Sequence, residues 1–204
     1  MNLMPGSDDA RVVLVRHGET SWSSRHRHTG RTDLPLTSAG ARQAATAGRI
    51  VTGLRLRAPR VYVSPRLRAR STAELAGLAP VTIEPDLAEW DYGEYEGLTT
   101  PQIREQVPDW TIWTGTVPGG ESTEQIRARA DRVLATATAG LEAHDVILVG
   151  HGHFSRALIA RWLGFEVREG RRFALFTAAI SVLGYEHGEP TLYAHNLHPG
   201  DRSG

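Results

Sequence analysis

The 204-residue chain is 40% hydrophobic, enough for one domain with a sizeable core, and its 23 basic residues, all arginine, balance 23 acidic ones. Zero formal charge argues against a general nucleic-acid or membrane-surface binder. The lack of lysine and cysteine excludes lysine Schiff bases, P-loop chemistry, thiolate nucleophiles, disulfides and cysteine-bound metals. No apolar stretch approaches the ~18 residues of a membrane span, and MNLMPGSDDA does not read as a signal peptide, so a cytoplasmic protein is the default expectation.

Residues 1–10 and 198–204 are expected to be disordered tails, leaving 11–197 as a single domain without repeats or linkers. Val12–Val15 reads as a strand buried on both faces. Thr37 can cap a helix whose small and apolar face is Ala41, Ala44, Ala45, Gly48 and Val51. A second strand spans 60–64, followed by a helix with Leu67, Ser71, Leu75 and Leu78 on one side, and a short third strand spans 81–84. Residues 85–120 are rich in Gly, Pro and aromatics, with one short helix near 101–106. Ser122 and Gln125 form a capping-box pattern opening a helix that buries Ile126, Ala130, Val133, Leu134, Ala137 and Leu141. VILVG at 146–150 is another fully buried strand and feeds a helix with Phe154, Ala157, Leu158 and Trp162 inward. Two closing strands, 181–187 and 191–197, flank Gly188-Glu189-Pro190. Strands alternating with helices predict an α/β domain with a largely parallel sheet, whose ligands bind beyond the carboxyl ends of the strands.

Three strands end in unusual chemistry: Arg16-His17-Gly18, Ser64-Pro65 ahead of Arg66, Arg68 and Arg70, and Gly150-His151-Gly152. Brought together, these ends make a pocket with two histidines and at least two arginines. Arginine forks suit phosphate oxygens, a neutral imidazole can attack phosphorus in line, and Gly18 and Gly152 would let backbone approach the anion. A zinc reading of HGH at 151–153 fails on the H-x-H-x-D pattern, because Ser155 stands where aspartate is needed, so no metal is predicted. His26 and His28 are expected to be solvated in an Arg-rich loop, and His144, His187, His195 and His198 to lie at the surface or at edges. Arg25, Arg27 and Arg31 could hold a second anionic group, though solvation is the plainer reading. Trp110, Trp113 and Tyr95 either line an apolar lid or pack over their own loop.

Taken in order, RHGET, TGRTDLPLTSAG, SPRLRARSTAE, LAEWDYGEYEGLT, GGES and LVGHG resemble the histidine phosphatase superfamily, the phosphoglycerate-mutase-like group, across about residues 12–186. The resemblance implies a three-layer α/β/α sandwich with a mostly parallel central sheet. It also implies a phosphohistidine mechanism with neither metal nor cofactor. By matching motifs, His17 is the nucleophile, and Arg16, Arg68 and His151 complete the phosphate pocket. Arg68 is chosen over Arg66 and Arg70 by the pattern S-x-x-x-R-A. Glu89 matches the proton donor, Thr29 and Gly30 match substrate contacts, and Tyr92 matches a substrate-side aromatic. Ser23 stands where the family usually has asparagine, and Ser71 where it usually has glutamine; Ser23 is short enough to need a water to reach phosphate. The mutases' long insertion, with its lysine and paired arginines, has no counterpart in 97–120, which offers only Arg104. The resemblance therefore favours the phosphatase branch, near broad acid phosphatases and sugar-bisphosphate phosphatases. The expected activity is hydrolysis of a small phosphorylated metabolite, with a mutase and a non-catalytic phosphoryl-binding module as the alternatives and a homodimer left open. No nucleic-acid or membrane partner is expected.

Overall fold

The computed structural model describes residues 10–198. Its centre is a six-stranded sheet of order β3-β2-β4-β1-β5-β6. The strands are β1 (Val12–Arg16), β2 (Arg60–Val63), β3 (Val81–Ile83), β4 (Val146–Gly150), β5 (Ile180–Glu186) and β6 (Glu189–Leu197). β1 to β4 are mutually parallel; β5 runs antiparallel to β1 and forms a hairpin with β6.

β1 and β4 occupy the middle because they carry apolar residues on both faces, and Val12–Val15 are all buried. Val12, Leu14, Val146 and Leu148 face one core; Val13, Val15, Ile147 and Val149 face the other. Each such side chain contributes about 1.5–3 kcal/mol by leaving water. Helices α1 (Ser38–Gly53) and α2 (Leu67–Leu75) close the second core. Helices α4 (Thr123–Thr138) and α5 (Gly152–Trp162), with the aromatic segment around α3 (Thr100–Arg104), close the first. The expected three-layer α/β/α sandwich is present.

Local signals mostly hold. The Thr37 hydroxyl caps α1 by accepting the Gly40 N–H at 3.0 Å, and Ser122 and Gln125 form the capping box of α4. The buried face of α1 is Gly40, Ala44, Ala47, Gly48 and Val51, so Ala45 faces solvent and Ala47 takes its place. α2 is a larger correction. Its buried residues are Arg68, Ala69, Thr72 and Ala73, while Leu75 is 46% exposed and Leu67 and Ser71 are only half-buried. Small Ala69 and Ala73 let the helix lie close on the sheet, and Arg68 turns inward because three backbone carbonyls accept its guanidinium. The closing hairpin turns at His187-Gly188, not at Gly188-Glu189-Pro190, with both residues at positive φ as a two-residue turn requires. Pro190 instead begins the edge strand β6, where a missing N–H is tolerated.

Ala10 is fully buried and His198 meets Phe176 edge to face; the rest of the two expected tails lies outside the described residues. Tyr95, Trp110 and Trp113 are buried. Tyr95 packs on Trp110 and Trp113 on Trp90, so these aromatics build the core of their own segment and not an apolar lid. Among the described residues, no helix is long and apolar enough to cross a membrane.

Candidate active site

β1 and β4 are adjacent and in register, Arg16 opposite Gly150. The next residue of each chain segment, His17 and His151, therefore emerges side by side, with ring centroids 5.2 Å apart. The His17 Nδ1–H donates to the Gly18 carbonyl at 2.7 Å, which fixes the tautomer and leaves the Nε2 lone pair free. Burial, then the charges of Arg68 and Arg16, push the His17 imidazole well below its usual pKa. It is a neutral base in a cationic pocket. The Gly18 N–H donates to Thr72 Oγ1, so α2 anchors the turn that carries His17. Glycine at 18 is needed for packing: a Cβ there would lie 2.4 Å from the Gly40 carbonyl oxygen. At 152, a Cβ would press on the Arg16 guanidinium at 3.3 Å, so glycine makes room for that cation. These are closer reasons than the expected approach of backbone to an anion.

His151 is fully buried, and its Nε2 lies 2.7 Å from Ser64 Oγ. Ser64 Oγ also accepts the Arg66 N–H; we assign the Ser64 proton to Nε2, which places the His151 proton on Nδ1, the ring nitrogen left without a protein partner. Burial, then Arg68 and His17, hold His151 well below its ordinary range as well. Arg68 donates to the carbonyls of Thr32, Thr29 and Gly30, and Arg16 to that of Leu175. Neither arginine has a carboxylate within ion-pair distance among the described residues. Arg16 Nε, Arg68 Nε and His151 Nδ1 are buried without a hydrogen-bond partner. Orphaned donors are costly and signal a missing acceptor. Three of them around His17 describe a site for a multi-oxygen anion.

Glu89 lies at the N-terminus of α5. Its carboxylate accepts the N–H groups of Trp90, His153 and Phe154 at 2.9, 3.0 and 2.8 Å. Arg129 of α4 holds the preceding segment by donating to the carbonyls of Asp86, Ala88 and Glu89, and is itself paired with Glu121. Glu89, like Leu87, is buried. Glu94 is exposed, whereas Glu96 accepts from Gly30 N and Thr32 N. The Gly30 N–H is thereby engaged, and Gly30 meets the site through its carbonyl on Arg68.

A cavity of about 250 Å³ opens over this centre, lined by Arg16, His17, Ser23, Thr29, Glu89, Tyr92 and Gly152. Ser23 Oγ accepts from Thr20 N inside a 3₁₀ turn, and the Thr29 hydroxyl donates to the Arg27 carbonyl. The wall also includes His26, His28 and Arg27, whose plainer sequence reading is a solvated loop, and His153 and Arg156, which no sequence reading places in an anion site. His28, expected to be solvated, is buried against Tyr92, and burial lowers its pKa to about 4. His153 Nδ1 lies 2.6 Å from the Tyr92 hydroxyl. Arg156 stacks over Trp113 and donates to the Gly170 carbonyl. The available signal was spacing: His153 and Arg156 stand three apart on α5, off the stripe of Phe154, Ala157 and Leu158. Arg25 is exposed and Arg31 pairs with Asp91, so neither lines the cavity. His144 is buried, contrary to expectation, but it precedes β4 at the end opposite the one that bears His151, and it packs near Gly140.

Residues 12–198 match the family model of the histidine phosphatase superfamily (branch 1). The chain is 51% identical over 183 residues to an acid phosphatase of Mycobacterium tuberculosis, covering 90% of each protein. It is 35% identical over 189 residues to sedoheptulose 1,7-bisphosphatase of Saccharomyces cerevisiae, covering 78% of this chain and 69% of that one. The solved structure of the product of open reading frame Rv3214 from Mycobacterium tuberculosis superposes with a TM-score of 0.91 at 50% identity, covering 93% of this chain and 98% of that one. With a match across the whole domain, and with both histidines at the ends of neighbouring strands, the chain belongs to the histidine phosphatase superfamily.

Proposed function

We propose that this protein hydrolyses small phosphomonoesters, sugar or glycerate phosphates among them, through a phosphohistidine on His17 and without metal or cofactor. The observation that carries the reading is the neutral His17, its Nδ1–H locked on the Gly18 carbonyl, set among the orphaned donors of Arg16, Arg68 and His151. A phosphate seated there supplies the missing acceptors, and the cations balance its charge.

Nε2 of His17 attacks phosphorus, forming the N–P bond as the ester P–O bond breaks. Glu89, as the acid, gives its proton to the departing alkoxide. The resulting carboxylate then takes a proton from water, whose oxygen attacks phosphorus and expels Nε2, and inorganic phosphate leaves. His151, donating from Nδ1, and the two arginines stabilise the charge on the equatorial oxygens in both steps.

The names of the two curated relatives, an acid phosphatase and a sugar bisphosphatase, support a phosphate ester as substrate. The small cavity favours a metabolite over a phosphoprotein. The test is phosphate release from a panel of phosphorylated metabolites, scored by kcat/KM, beside interconversion of 2- and 3-phosphoglycerate. Release without interconversion supports the reading. Interconversion without release makes the protein a mutase, and no turnover of any ester makes it a binding module.

A further inference from the structure

Arg129 is buried on α4 and lies outside the wall of the active-site cavity. Burying a guanidinium is costly unless its charge is paired and its donors are met. Here all five N–H groups are engaged. Nε and Nη2 donate to the two carboxylate oxygens of Glu121, at 3.0 and 2.7 Å. The others go to the carbonyls of Asp86, Ala88 and Glu89. Glu121 in turn accepts the Asp91 N–H on its carboxylate and the Trp90 indole N–H on its carbonyl. One arginine–glutamate pair thus holds the backbone on both sides of Glu89. The guanidinium also lies over the Phe154 ring, 4.0 Å from its centroid, and the Phe154 N–H donates to Glu89 Oε1. Arg129 therefore touches both the segment that carries the Glu89 side chain and the first turn of α5 that receives it.

The receiving turn treats the two carboxyl oxygens differently. Oε1 accepts two N–H groups, from Trp90 and Phe154, which occupies both lone pairs. Oε2 accepts the His153 N–H and, among the described residues, no other. The open side of the carboxyl, and with it the transferable proton, is on Oε2. General acid catalysis needs that oxygen within hydrogen-bond reach of the departing oxygen, and a displacement of about 1 Å can cost about 10²-fold. We propose, on the reading of Glu89 as the acid, that Arg129, held by Glu121, is a positioning residue for the proton transfer: it never meets the substrate and fixes where Glu89 Oε2 stands. α4 lends the same segment a second arginine, Arg132, on the Asp86 carboxylate. That side chain is 60% exposed, and an ion pair of this kind contributes little.

The test compares kcat/KM, which covers the steps up to phosphorylation, for glycerol phosphate and for p-nitrophenyl phosphate. Arg129→Lys keeps a charge for Glu121, but one ammonium cannot serve three carbonyls as well. The variant should keep the wild-type far-UV circular dichroism spectrum and lose about 10–100-fold on glycerol phosphate, with p-nitrophenyl phosphate little changed. Glu121→Gln should show the same selectivity to a lesser degree, and it carries the test if the lysine variant does not fold. In a Glu89→Gln background, Arg129→Lys should cause no further loss, because no proton is left to place. Arg132→Ala should leave both esters unchanged. No loss or equal losses on the two esters in Arg129→Lys, a loss that adds in full to that of Glu89→Gln, or an equally selective loss in Arg132→Ala would overturn the proposal. Selectivity in Glu89→Gln but not in Arg129→Lys removes the positioning role alone; selectivity in neither removes the acid reading with it.

Discussion

The imidazoles of His17 and His151 meet edge to face with centroids 5.2 Å apart, each one residue beyond the end of its strand. The pairing follows from sheet order. β1 and β4 are parallel neighbours, so their carboxyl ends coincide and their first loop residues converge. Both rings are buried and held neutral by desolvation and by the charge of Arg68. One is tied to a backbone carbonyl and the other to the Ser64 hydroxyl, so their two orientations are set independently.

Arg68 should matter far more than the arginines two positions to either side. It is fully buried, while Arg66 is half-buried and Arg70 exposed. Loss of a buried contact to phosphate costs on the order of 2–5 kcal/mol. Arg68→Ala should therefore lower kcat/KM by about two to three orders of magnitude, with Arg66→Ala milder and Arg70→Ala nearly neutral. The His17 titration, followed by nitrogen NMR, should also move back towards the ordinary imidazole range in Arg68→Ala. Equal losses at all three positions would point instead to a diffuse basic patch.

In the proposed mechanism Glu89 protonates the leaving group. Glu96 is tied to Gly30 and Thr32, and Glu94 faces solvent. Glu89→Gln keeps the shape of the side chain and an acceptor oxygen but removes the transferable proton. Alkyl phosphates should slow by about 10²–10⁴-fold. p-Nitrophenyl phosphate should slow much less, because nitrophenolate departs unaided. A merely structural role for Glu89 predicts equal losses for both esters, so the ratio of the two rates decides.

Acid should destabilise the fold through His28. Its pKa falls from 6.5 to about 4 on folding, with burial the main cause and Glu96 opposing it. The unfolded chain thus binds more protons between these values, so stability is full above pH 6.5 and declines as pH falls towards about 4. For this one residue the loss is at most about 3 kcal/mol. Urea unfolding of wild type and His28→Asn across this range should show a shallower pH slope in the variant. Parallel slopes would mean that His28 remains accessible to protons in the folded state.

Much of this arrangement was legible in sequence because it depends on local rules. Val12–Val15 and Val146–Val149 are apolar on both faces, which only a central strand can satisfy, and each runs directly into its histidine. The capping residues Thr37 and Ser122 marked their helices without reference to the rest of the chain. α2 resisted because hydrophobicity alone pointed to Leu67 and Leu75, whereas the buried face is set by carbonyls from residues 29–32, more than thirty positions away in sequence. Arg129 was hidden for the same reason: nothing near it on α4 reveals the carbonyls of Asp86 and Ala88 that draw it inward. His28 looked solvated among arginines, since the aromatic walls that enclose it, Tyr92 and Trp110, come from another segment.

The central claim is a covalent phosphoryl group on His17, and rapid quench measures it directly. Wild type is mixed with a ³²P-labelled phosphomonoester in EDTA, quenched in alkali within milliseconds, and digested for peptide mapping. The expected result is base-stable, acid-labile label on His17, formed and lost at rates that account for turnover, with His17→Ala folded, unlabelled and slower by several orders of magnitude. Turnover that stops in EDTA and returns with a divalent cation, or a His17→Ala enzyme that hydrolyses substrate near the wild-type rate, would contradict the account.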